Sequence, residues 1–401
     1  MTTAIDATWA PAEIERLRSE TPGARESLHL NNAGSSLPPR SVLDASIEHL
    51  ELEARIGGYE AEALRRPEIR AAYADVGRLL GVDADQVAFV ENATVGFAQA
   101  LSCIPFERGD VILTSREDYV SNQIMLLSLA KRFGVRIERL RSLPTGGIDL
   151  EDLEHRLRTD PPRLVAITHV PTNSGLVQPV GAAGEIVSRA GILYLVDVCQ
   201  SVGQRPVDLH ALRADFLTAT SRKFLRGPRG FGFMAVSQRV LDEGYEPLFI
   251  DLQGAEWSAA DRYTPKATAA RFENWEFAYA LLLGTGCAAR YAMEVGLERI
   301  AARTTGLGDR LRSGLADAGF RTLDRGDEPC AIVTIAMNEH DPDTFMARLA
   351  KHGLHGTASL RAYGRIDFED KNVDWALRLS PHYFNTEDEV DRAVEIVRGP
   401  N

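Results

Sequence analysis

The sequence predicts an α/β protein, with a large three-layer domain built on a mostly parallel sheet and a smaller α+β domain at the C-terminal end. Short apolar runs alternate with amphipathic segments through the first 285 residues, and this rhythm changes afterwards. Alternation of this kind is typical of a parallel sheet covered by helices. A chain of 401 residues is long enough for two such domains.

Seven apolar runs predict the strands of the large sheet. Each run is short and bounded by turn-forming residues, which indicates a buried strand. The runs cover residues 86–91, 110–115, 135–140, 163–169, 192–198, 215–221 and 230–236. Ligands of α/β proteins bind at the carboxyl ends of such strands, so we expect the functional residues there.

The C-terminal part has a different order of elements. A long helical pattern over 286–319 is followed by a strand within 330–337, a helix near 342–352, a strand at 375–380 and a closing helix from Glu387. This order is typical of a small α+β domain. We therefore divide the chain into an N-terminal segment (1–25), a large domain (26–285) and a small domain (286–401).

Composition and charge exclude several classes of function. With 45 basic and 57 acidic residues the net charge is −12, which argues against nucleic acid or an anionic membrane as partner. No run approaches the roughly 18 apolar residues of a membrane span, and the first 20 residues lack the features of a secretory signal. The spacing of the four cysteines suits neither a metal site nor a short-range disulfide, so we expect thiols in a reducing cytoplasm.

Lys223, in the stretch TATSRKFLRGPRGFGF (218–233), is the first candidate for catalysis. Only five of the 45 basic residues are lysines. The lysine amine condenses with aldehydes, of which pyridoxal phosphate is the common cofactor, and arginine cannot replace it. A solvated lysine in a basic loop is the alternative.

Asp197, at the end of the predicted strand 192–198, is the second candidate. It precedes Lys223 by one strand-to-strand unit, so parallel strands would bring both residues to the same sheet edge. A carboxylate there would keep a pyridine nitrogen protonated and the ring electron-withdrawing. Taken alone, Asp197 is equally typical of a strand-end cap.

A phosphate site is predicted beside these two residues. Thr220 and Arg222 flank the lysine, and in ENATVGF the residues Ala93 and Thr94 open a helix directly after a strand. Free backbone N–H groups at such a helix start, together with a hydroxyl and a cation, bind phosphate. As an isolated motif, NAT is only a helix cap.

Four stretches in this order resemble the class V aminotransferase family of fold type I pyridoxal phosphate enzymes: VDVCQSVGQRPVDL, ADFLTATSRKFLRGPRGFGF, RFENWE and LRLSPHYFNTEDEVD. The resemblance begins near HLNNAG (29–34) and runs nearly to the C-terminus. It implies a fold type I transferase fold, pyridoxal 5'-phosphate as cofactor, a small amino acid as substrate and a homodimer. IGGYEAEA (56–63) and the GPRG after the lysine resemble the carbon–sulfur lyase of ergothioneine biosynthesis in particular.

The resemblance also implies a role for individual residues. Lys223 matches the Schiff-base lysine, Asp197 the partner of the pyridine nitrogen, Gln200 the residue at the ring oxygen and Tyr119 the stacking ring. The implied phosphate ligands are Ala93, Thr94, Thr220 and Arg222, with Asn274 and Trp275 at the place where desulfurases contribute a ligand from the partner subunit. Thr172 matches a residue near the ring oxygen, with Asn173 as a one-residue alternative.

The substrate site follows from the same resemblance. Arg378 matches the arginine that binds the substrate carboxylate. Asn32, Ala33, Tyr59 and Arg361 complete the candidate set. For Arg361, as for Arg365 and Trp275, bracing of loops or of the subunit interface is the alternative.

The reaction is predicted from a missing cysteine. Desulfurases need a thiol in the loop before the last strand, and the predicted loop here, residues 355–374, contains none. We therefore expect β-elimination from a cysteine S-conjugate or sulfoxide, giving pyruvate and ammonia, with Lys223 taking the Cα proton. Epimerisation, with Tyr119, Tyr59 or His29 as second acid, transamination and a catalytically silent cofactor-binding protein are the alternatives.

Overall fold

A computed structural model describes residues 9–399, so the first eight residues of the predicted N-terminal segment lie outside the described part. The strands in it are β1 (Leu28–His29), β2 (Val87–Val90), β3 (Val111–Thr114), β4 (Arg136–Arg139), β5 (Leu164–Thr168), β6 (Leu193–Asp197), β7 (Phe216–Thr220), β8 (Gly232–Val236), β9 (Ala255–Ala259), β10 (Arg262–Pro265), β11 (Val333–Ala336), β12 (Leu354–His355), β13 (Thr357–Leu360) and β14 (Trp375–Leu379). The α-helices are α1 (Pro11–Ser19), α2 (Arg40–Ile56), α3 (Gly58–Leu80), α4 (Ala93–Ser102), α5 (Val120–Phe133), α6 (Leu150–Thr159), α7 (Val180–Arg189), α8 (Leu209–Leu212), α9 (Gln238–Asp242), α10 (Tyr279–Val295), α11 (Leu297–Asp317), α12 (Pro342–Lys351), α13 (Arg365–Lys371) and α14 (Glu387–Arg398).

The large sheet has seven strands in the order β2, β8, β7, β6, β5, β3, β4. Strand β8 is antiparallel to both of its neighbours and the other pairs are parallel. Each of the seven predicted runs contains one of these strands, which confirms the α/β class with a mostly parallel sheet. Strand β4 is the least buried because it lies at the sheet edge.

Helices cover both faces of this sheet and make the three layers. In β6, Tyr194 and Val196 pack in one apolar cluster with α3, α7 and α10, whereas Leu193 and Leu195 pack in another with α4 and α5. Successive side chains of a strand point to opposite faces. A strand that is buried on both faces therefore has apolar residues at consecutive positions, which is why an apolar run in the sequence predicted it.

A second sheet, in the order β11, β14, β13, is antiparallel. Side chains of α11, α12 and α14 pack with it in a separate cluster, which Leu28 and Leu30 join from the N-terminal side. The helical pattern over 286–319 is interrupted at Gly296, whose φ of 96° ends α10 before α11 begins. The predicted boundary between the large and the small domain, after residue 285, falls inside α10. This division of the chain stays a prediction.

The segment 355–374 was expected to be a loop and is largely regular structure. It contains β13, a short 3₁₀ turn and α13. Near its end Lys371 Nζ lies 2.6 Å from Asp367 and 3.1 Å from Glu117 of the large domain. These ion pairs and two buried apolar side chains, Phe368 and Val373, fix this segment, so hydrophobic periodicity does not reveal it. Within residues 9–399, no helix has the length and apolar character to cross a bilayer.

Candidate active site

A cavity lies at the carboxyl ends of β5, β6 and β7, next to the first turns of α4 and α5. Nine residues predicted to bind the cofactor line it: Ala93, Thr94, Tyr119, Thr172, Asp197, Gln200, Thr220, Arg222 and Lys223. The structure thus brings together residues that are up to 130 positions apart in the sequence (223 − 93).

The start of α4 forms one wall of this cavity. Asn92 caps the helix by accepting a hydrogen bond from Val95 N at 3.1 Å. The close approach of this turn to β8 requires a glycine, since a Cβ on Gly232 would lie 2.9 Å from Ala93 N. The first N–H groups of α4 therefore face the cavity, as a phosphate site needs.

Lys223 lies on the opposite wall, directly after β7. Its side chain is buried, and Nζ lies 5.7 Å from the centre of the Tyr119 ring. Burial lowers the pKa of Lys223, in spite of the opposing effects of Cys199 and Asp197, and the cations of Arg222 and Arg378 lower it further. A lowered pKa raises the fraction of neutral amine, which is the form that attacks aldehydes and accepts protons.

Asp197 ends β6 and is also buried. Its Oδ1 accepts a hydrogen bond from Cys199 N at 2.9 Å, and its Oδ2 accepts one from Asn122 Nδ2 at 2.9 Å. These two bonds fix the orientation of the carboxylate at the cavity. Asp197 is therefore placed to hold a protonated pyridine nitrogen.

Asn122 and Asp118 belong to this site and were not predicted from the sequence. Asn122 Nδ2 also lies 3.2 Å from Asp118 Oδ1, and Thr168 donates to the same oxygen. Burial raises the pKa of Asp118 to about 6, and the charge of Asp197 adds to this effect. The spacing of Asn122 from Tyr119, three residues on one helical turn, was the available signal.

Arg378 lies in the middle of β14 and reaches the same region from the small sheet. Its Nη1 donates to Thr172 Oγ1 at 2.7 Å and to the Thr172 carbonyl at 3.0 Å. Its Nε is buried and has no hydrogen-bond partner. Burial, with Arg222 adding to it, lowers the pKa of Arg378 to about 10, which still leaves it cationic at neutral pH.

Positive charge is concentrated around the cavity. Burial and the charge of Arg229 lower the pKa of Arg222. Cationic neighbours likewise lower the pKa values of Lys223 and Arg378. The buried Nε of Arg378 also has no acceptor, so an unfilled donor lies among these cations. A phosphate and an amino-acid carboxylate supply the missing anions, so the residues fit pyridoxal phosphate and its substrate.

Three predicted cofactor residues do not line the cavity of their own chain. Asn173 Nδ2 donates to the Tyr363 carbonyl at 3.0 Å, so of the two alternatives Thr172 is the one at the cavity. Asn274 lies 3.4 Å from Glu91, and Trp275 is half-exposed. Their predicted part across a subunit interface stays a prediction.

Of the four predicted substrate residues besides Arg378, Asn32 and Ala33 are buried, whereas Tyr59 and Arg361 are not. Asn32 is buried and donates to the Ser380 carbonyl at 2.7 Å, and the Ala33 carbonyl accepts from Gln200 Nε2 at 3.1 Å. Tyr59 is 74% exposed, away from the cavity, and Arg361 pairs with Asp374 at 2.7 Å. The bracing alternative for Arg361 therefore fits its contacts.

Asn31 and His29 come just before the predicted substrate residues Asn32 and Ala33 in the sequence. Asn31, which was not predicted, lies 3.5 Å from Arg378 Nη2. His29, an alternative second acid, is buried outside the cavity, its Nε2 lies 2.9 Å from the Ser35 carbonyl, and burial lowers its pKa to about 4. Among the three candidate second acids, Tyr119 is the one that lines the cavity.

Comparison with known proteins identifies the family. The sequence matches the family Aminotransferase class-V over residues 28–393. A probable hercynylcysteine sulfoxide lyase of Mycobacterium tuberculosis is 30% identical over 371 residues, which are 92% of this chain and 89% of that protein. A probable cysteine desulfurase of Pyrococcus abyssi is 25% identical, over 94% of this chain and 95% of that protein.

Solved structures agree on the fold. The apo structure of a cysteine desulfurase from Thermococcus onnurineus NA1 is similar with a TM-score of 0.88 at 24% identity, covering 96% of this chain and 97% of that one. A complex of the cystine C–S lyase C-DES with its product cysteine persulfide has a TM-score of 0.83 at 20% identity, covering 95% and 100%. This chain belongs to the class V aminotransferases, with the fold type I architecture and pyridoxal phosphate as its cofactor.

Proposed function

We propose that the protein is a carbon–sulfur β-lyase that acts on a cysteine S-conjugate or a cysteine sulfoxide. The bound cofactor withdraws electrons from the substrate Cα. The Lys223 amine accepts the Cα proton, the Cβ–S bond breaks, and the sulfur fragment leaves with the electron pair as a thiolate or sulfenate. The released 2-aminoacrylate hydrolyses to pyruvate and ammonia, so no external oxidant or reductant is needed.

The other residues of the site hold the reacting atoms in place. Arg378 binds the substrate carboxylate through the donor that is free in the structure, and Thr172 fixes the guanidinium. Asp197 holds the pyridine nitrogen, and Asn122 fixes Asp197. Each of these contacts lies within the cavity or adjoins it, which supports a small amino acid as substrate.

The positions of the cysteines favour β-elimination over desulfuration. Among the described cysteines, Cys199 is the one that lines the cavity, and burial, with Asp197 adding to it, raises the pKa of its thiol. Cys330 is buried in a separate apolar cluster and burial raises its pKa to about 11. A neutral thiol is a weak nucleophile, and segment 355–374 has no cysteine. Direct elimination needs no thiol.

Epimerisation is the second candidate, because Tyr119 also lines the cavity, with its ring centre 5.7 Å from Lys223 Nζ. The same proton removal would then be followed by proton return from the other face. Transamination remains a third route for the same residues.

We also propose a homodimer with shared sites. Several large apolar side chains between residues 248 and 275 are exposed, among them Phe249 at 83% and Trp257 at 79%. A monomer seldom leaves such a patch uncovered. Asn274, in the same region, lies 3.4 Å from Glu91, which directly precedes the cavity residue Asn92, so a partner covering this patch would lie near the phosphate site. The cytoplasmic location predicted from the unpaired cysteines stays a prediction.

One assay distinguishes the candidate reactions. Purified holoenzyme is incubated in D₂O with a cysteine sulfoxide, a cysteine S-conjugate or free cysteine, and the products are identified by mass and by chiral separation. β-Elimination gives pyruvate, ammonia and the sulfur fragment from the first two. Deuterium at an inverted Cα without pyruvate would establish epimerisation, and alanine with a protein persulfide would establish desulfuration.

A further inference from the structure

A second cavity adjoins the active site at the carboxyl ends of β3 and β4, between α5 and residues 362–367. We propose that this cavity holds the sulfur substituent of the substrate, and that this substituent has an apolar body and a terminal carboxylate facing Arg139. The proposal rests on the proposed function, because it concerns the leaving group of that elimination.

The two cavities share their walls. Asp118 lines the second cavity, and the next residue, Tyr119, lines the first. On α5, Asn122 lines the first cavity and the next residue, Gln123, lines the second. In the segment between β5 and α7, Thr172 lines the first cavity, while its two neighbours line the second. A substrate side chain that leaves the first cavity along the sheet edge, away from β7, therefore meets the second.

Residues 362–367 close the second cavity from the small sheet. They follow β13, in which Thr357 is paired with Arg378 of β14. Asn173 holds this segment against the large domain by donating to the Tyr363 carbonyl at 3.0 Å. A substrate whose carboxylate is held by Arg378 thus has this segment next to its side chain.

The carboxylates of the second cavity already have partners. Asp118 accepts from Thr168 and from Gln123 Nε2, the latter at 2.7 Å. Glu117 and Asp367 both pair with Lys371. Each carboxylate among the described residues of this cavity is therefore already held by donors of the protein.

Arg139 differs from the other arginines of the second cavity. Arg116 pairs with Asp370 at 2.8 Å, and Arg365 lies 3.5 Å from Glu369. Arg139 has no carboxylate within 4.0 Å among residues 9–399; its Nη2 donates to Gln123 Oε1 at 2.8 Å, and its buried Nε has no partner. Burial and the charge of Arg116 lower the pKa of Arg139, although the charge of Asp118 opposes them, and a further anion in the cavity would favour the cation.

The remaining walls are apolar. Ile124 and Leu127 on α5 are 60% and 55% exposed, and Tyr363 on the opposite side is 51% exposed. An aliphatic or aromatic group between them would remove this surface from water. An apolar body with one anionic end satisfies both the apolar walls and the free donor of Arg139.

Two isosteric probes test the proposal. S-(4-carboxybenzyl)cysteine sulfoxide and its uncharged 4-carbamoyl analogue are compared by kcat and KM for pyruvate release. The corresponding α-methyl thioethers, which have no Cα proton to lose, are compared by calorimetric binding to the holoenzyme. A charge-assisted hydrogen bond in a partly open cavity predicts a preference for the carboxylate of about tenfold in KM and in Kd. Arg139→Gln should abolish this preference, and Arg139→Lys should retain part of it.

Arg136→Gln is the matched control, because Arg136 lies on the same strand but is exposed and paired with Asp160 outside the cavity. Its preference should equal that of the wild type. Equal KM and Kd for both probes, or a preference that survives Arg139→Gln, would overturn the proposal. If both sulfoxides release pyruvate without such a preference, only the second-cavity proposal fails. If binding depends on Arg139 but neither sulfoxide releases pyruvate, the cavity stands and the proposed elimination fails.

Discussion

Arg378 and Thr172 are joined by two hydrogen bonds, from Nη1 to the hydroxyl at 2.7 Å and to the carbonyl at 3.0 Å. The same hydroxyl accepts from Gln200 Nε2 at 2.9 Å. One threonine of the large domain therefore orients both the arginine of β14 and a residue of the cofactor site. The guanidinium is held before substrate arrives, which lowers the entropic cost of binding.

Replacing Arg378 by alanine should weaken substrate binding. The loss of a charge-assisted bidentate contact predicts a fall in kcat/KM of roughly one to three decades, mainly through KM. Steady-state pyruvate release measures it, with Arg310→Ala, an exposed arginine paired with Asp391, as control. An unchanged kcat/KM would place the carboxylate site elsewhere.

Borohydride treatment of the yellow holoenzyme should fix a phosphopyridoxyl group on Lys223. Its buried position and lowered pKa favour the neutral amine that reacts with the aldehyde. Peptide mass spectrometry locates the label, and Lys223→Ala should carry none. A label on Lys266 or on another lysine contradicts the assignment.

Asp197→Asn should keep the cofactor bound and slow proton removal from the substrate. The amide has no charge to hold the pyridine nitrogen protonated, whereas the phosphate contacts at α4 and Arg222 are unaffected. Cofactor content by absorbance and single-turnover rates separate the two effects. Turnover within a few-fold of the wild type would show that the electron-withdrawing role is wrong.

The strands of the large sheet were predictable because they are short and all except β4 are buried on both faces. The hairpin of β9 and β10 was missed because its side chains are mostly exposed and carry no apolar period. The segment 355–374 was missed as regular structure for a related reason, since buried ion pairs of Lys371 hold it. Sequence periodicity reports apolar burial and is insensitive to both arrangements.

The candidate site was predictable where a residue type is chemically required. Lys223 and Asp197 are of this kind, because the amine and the carboxylate have specific tasks on the cofactor. Asn122 and Asp118 act through Asp197, and an asparagine and an aspartate at the start of a helix are otherwise ordinary capping residues. Their role depends on the approach of α5 to the end of β6, which sequence spacing alone does not show.

Asp118→Asn should remove part of the pH dependence of stability. The pKa of Asp118 is raised to about 6 by burial, so the folded state binds its proton more tightly than the unfolded state does. The stabilisation is therefore complete at low pH and is lost as the pH rises from about 4 to 6, by at most about 3 kcal/mol. Asparagine does not titrate.

Urea unfolding of both proteins at several pH values between 4 and 7 measures this contribution. Asp367 and Glu273 also have raised pKa values, about 7 each, but they are present in both proteins and cancel in the difference. The free-energy difference between variant and wild type should change with pH below 6 and be constant above it. A difference that is constant throughout would contradict the assigned titration.

Changing each of the four cysteines to serine in turn should preserve β-elimination. Cys199 is the critical case because it lies at the cavity, but serine retains the backbone N–H bond to Asp197 at 2.9 Å and can also replace the thiol beside Asp197 with a hydroxyl donor. We expect kcat within a few-fold of the wild type for Cys199→Ser, with any loss arising from packing. The wild type should form no persulfide from free cysteine, since burial and Asp197 keep the Cys199 thiol protonated. Alanine and a persulfide that disappear in Cys199→Ser would instead assign the nucleophile to this residue and replace the lyase proposal by desulfuration.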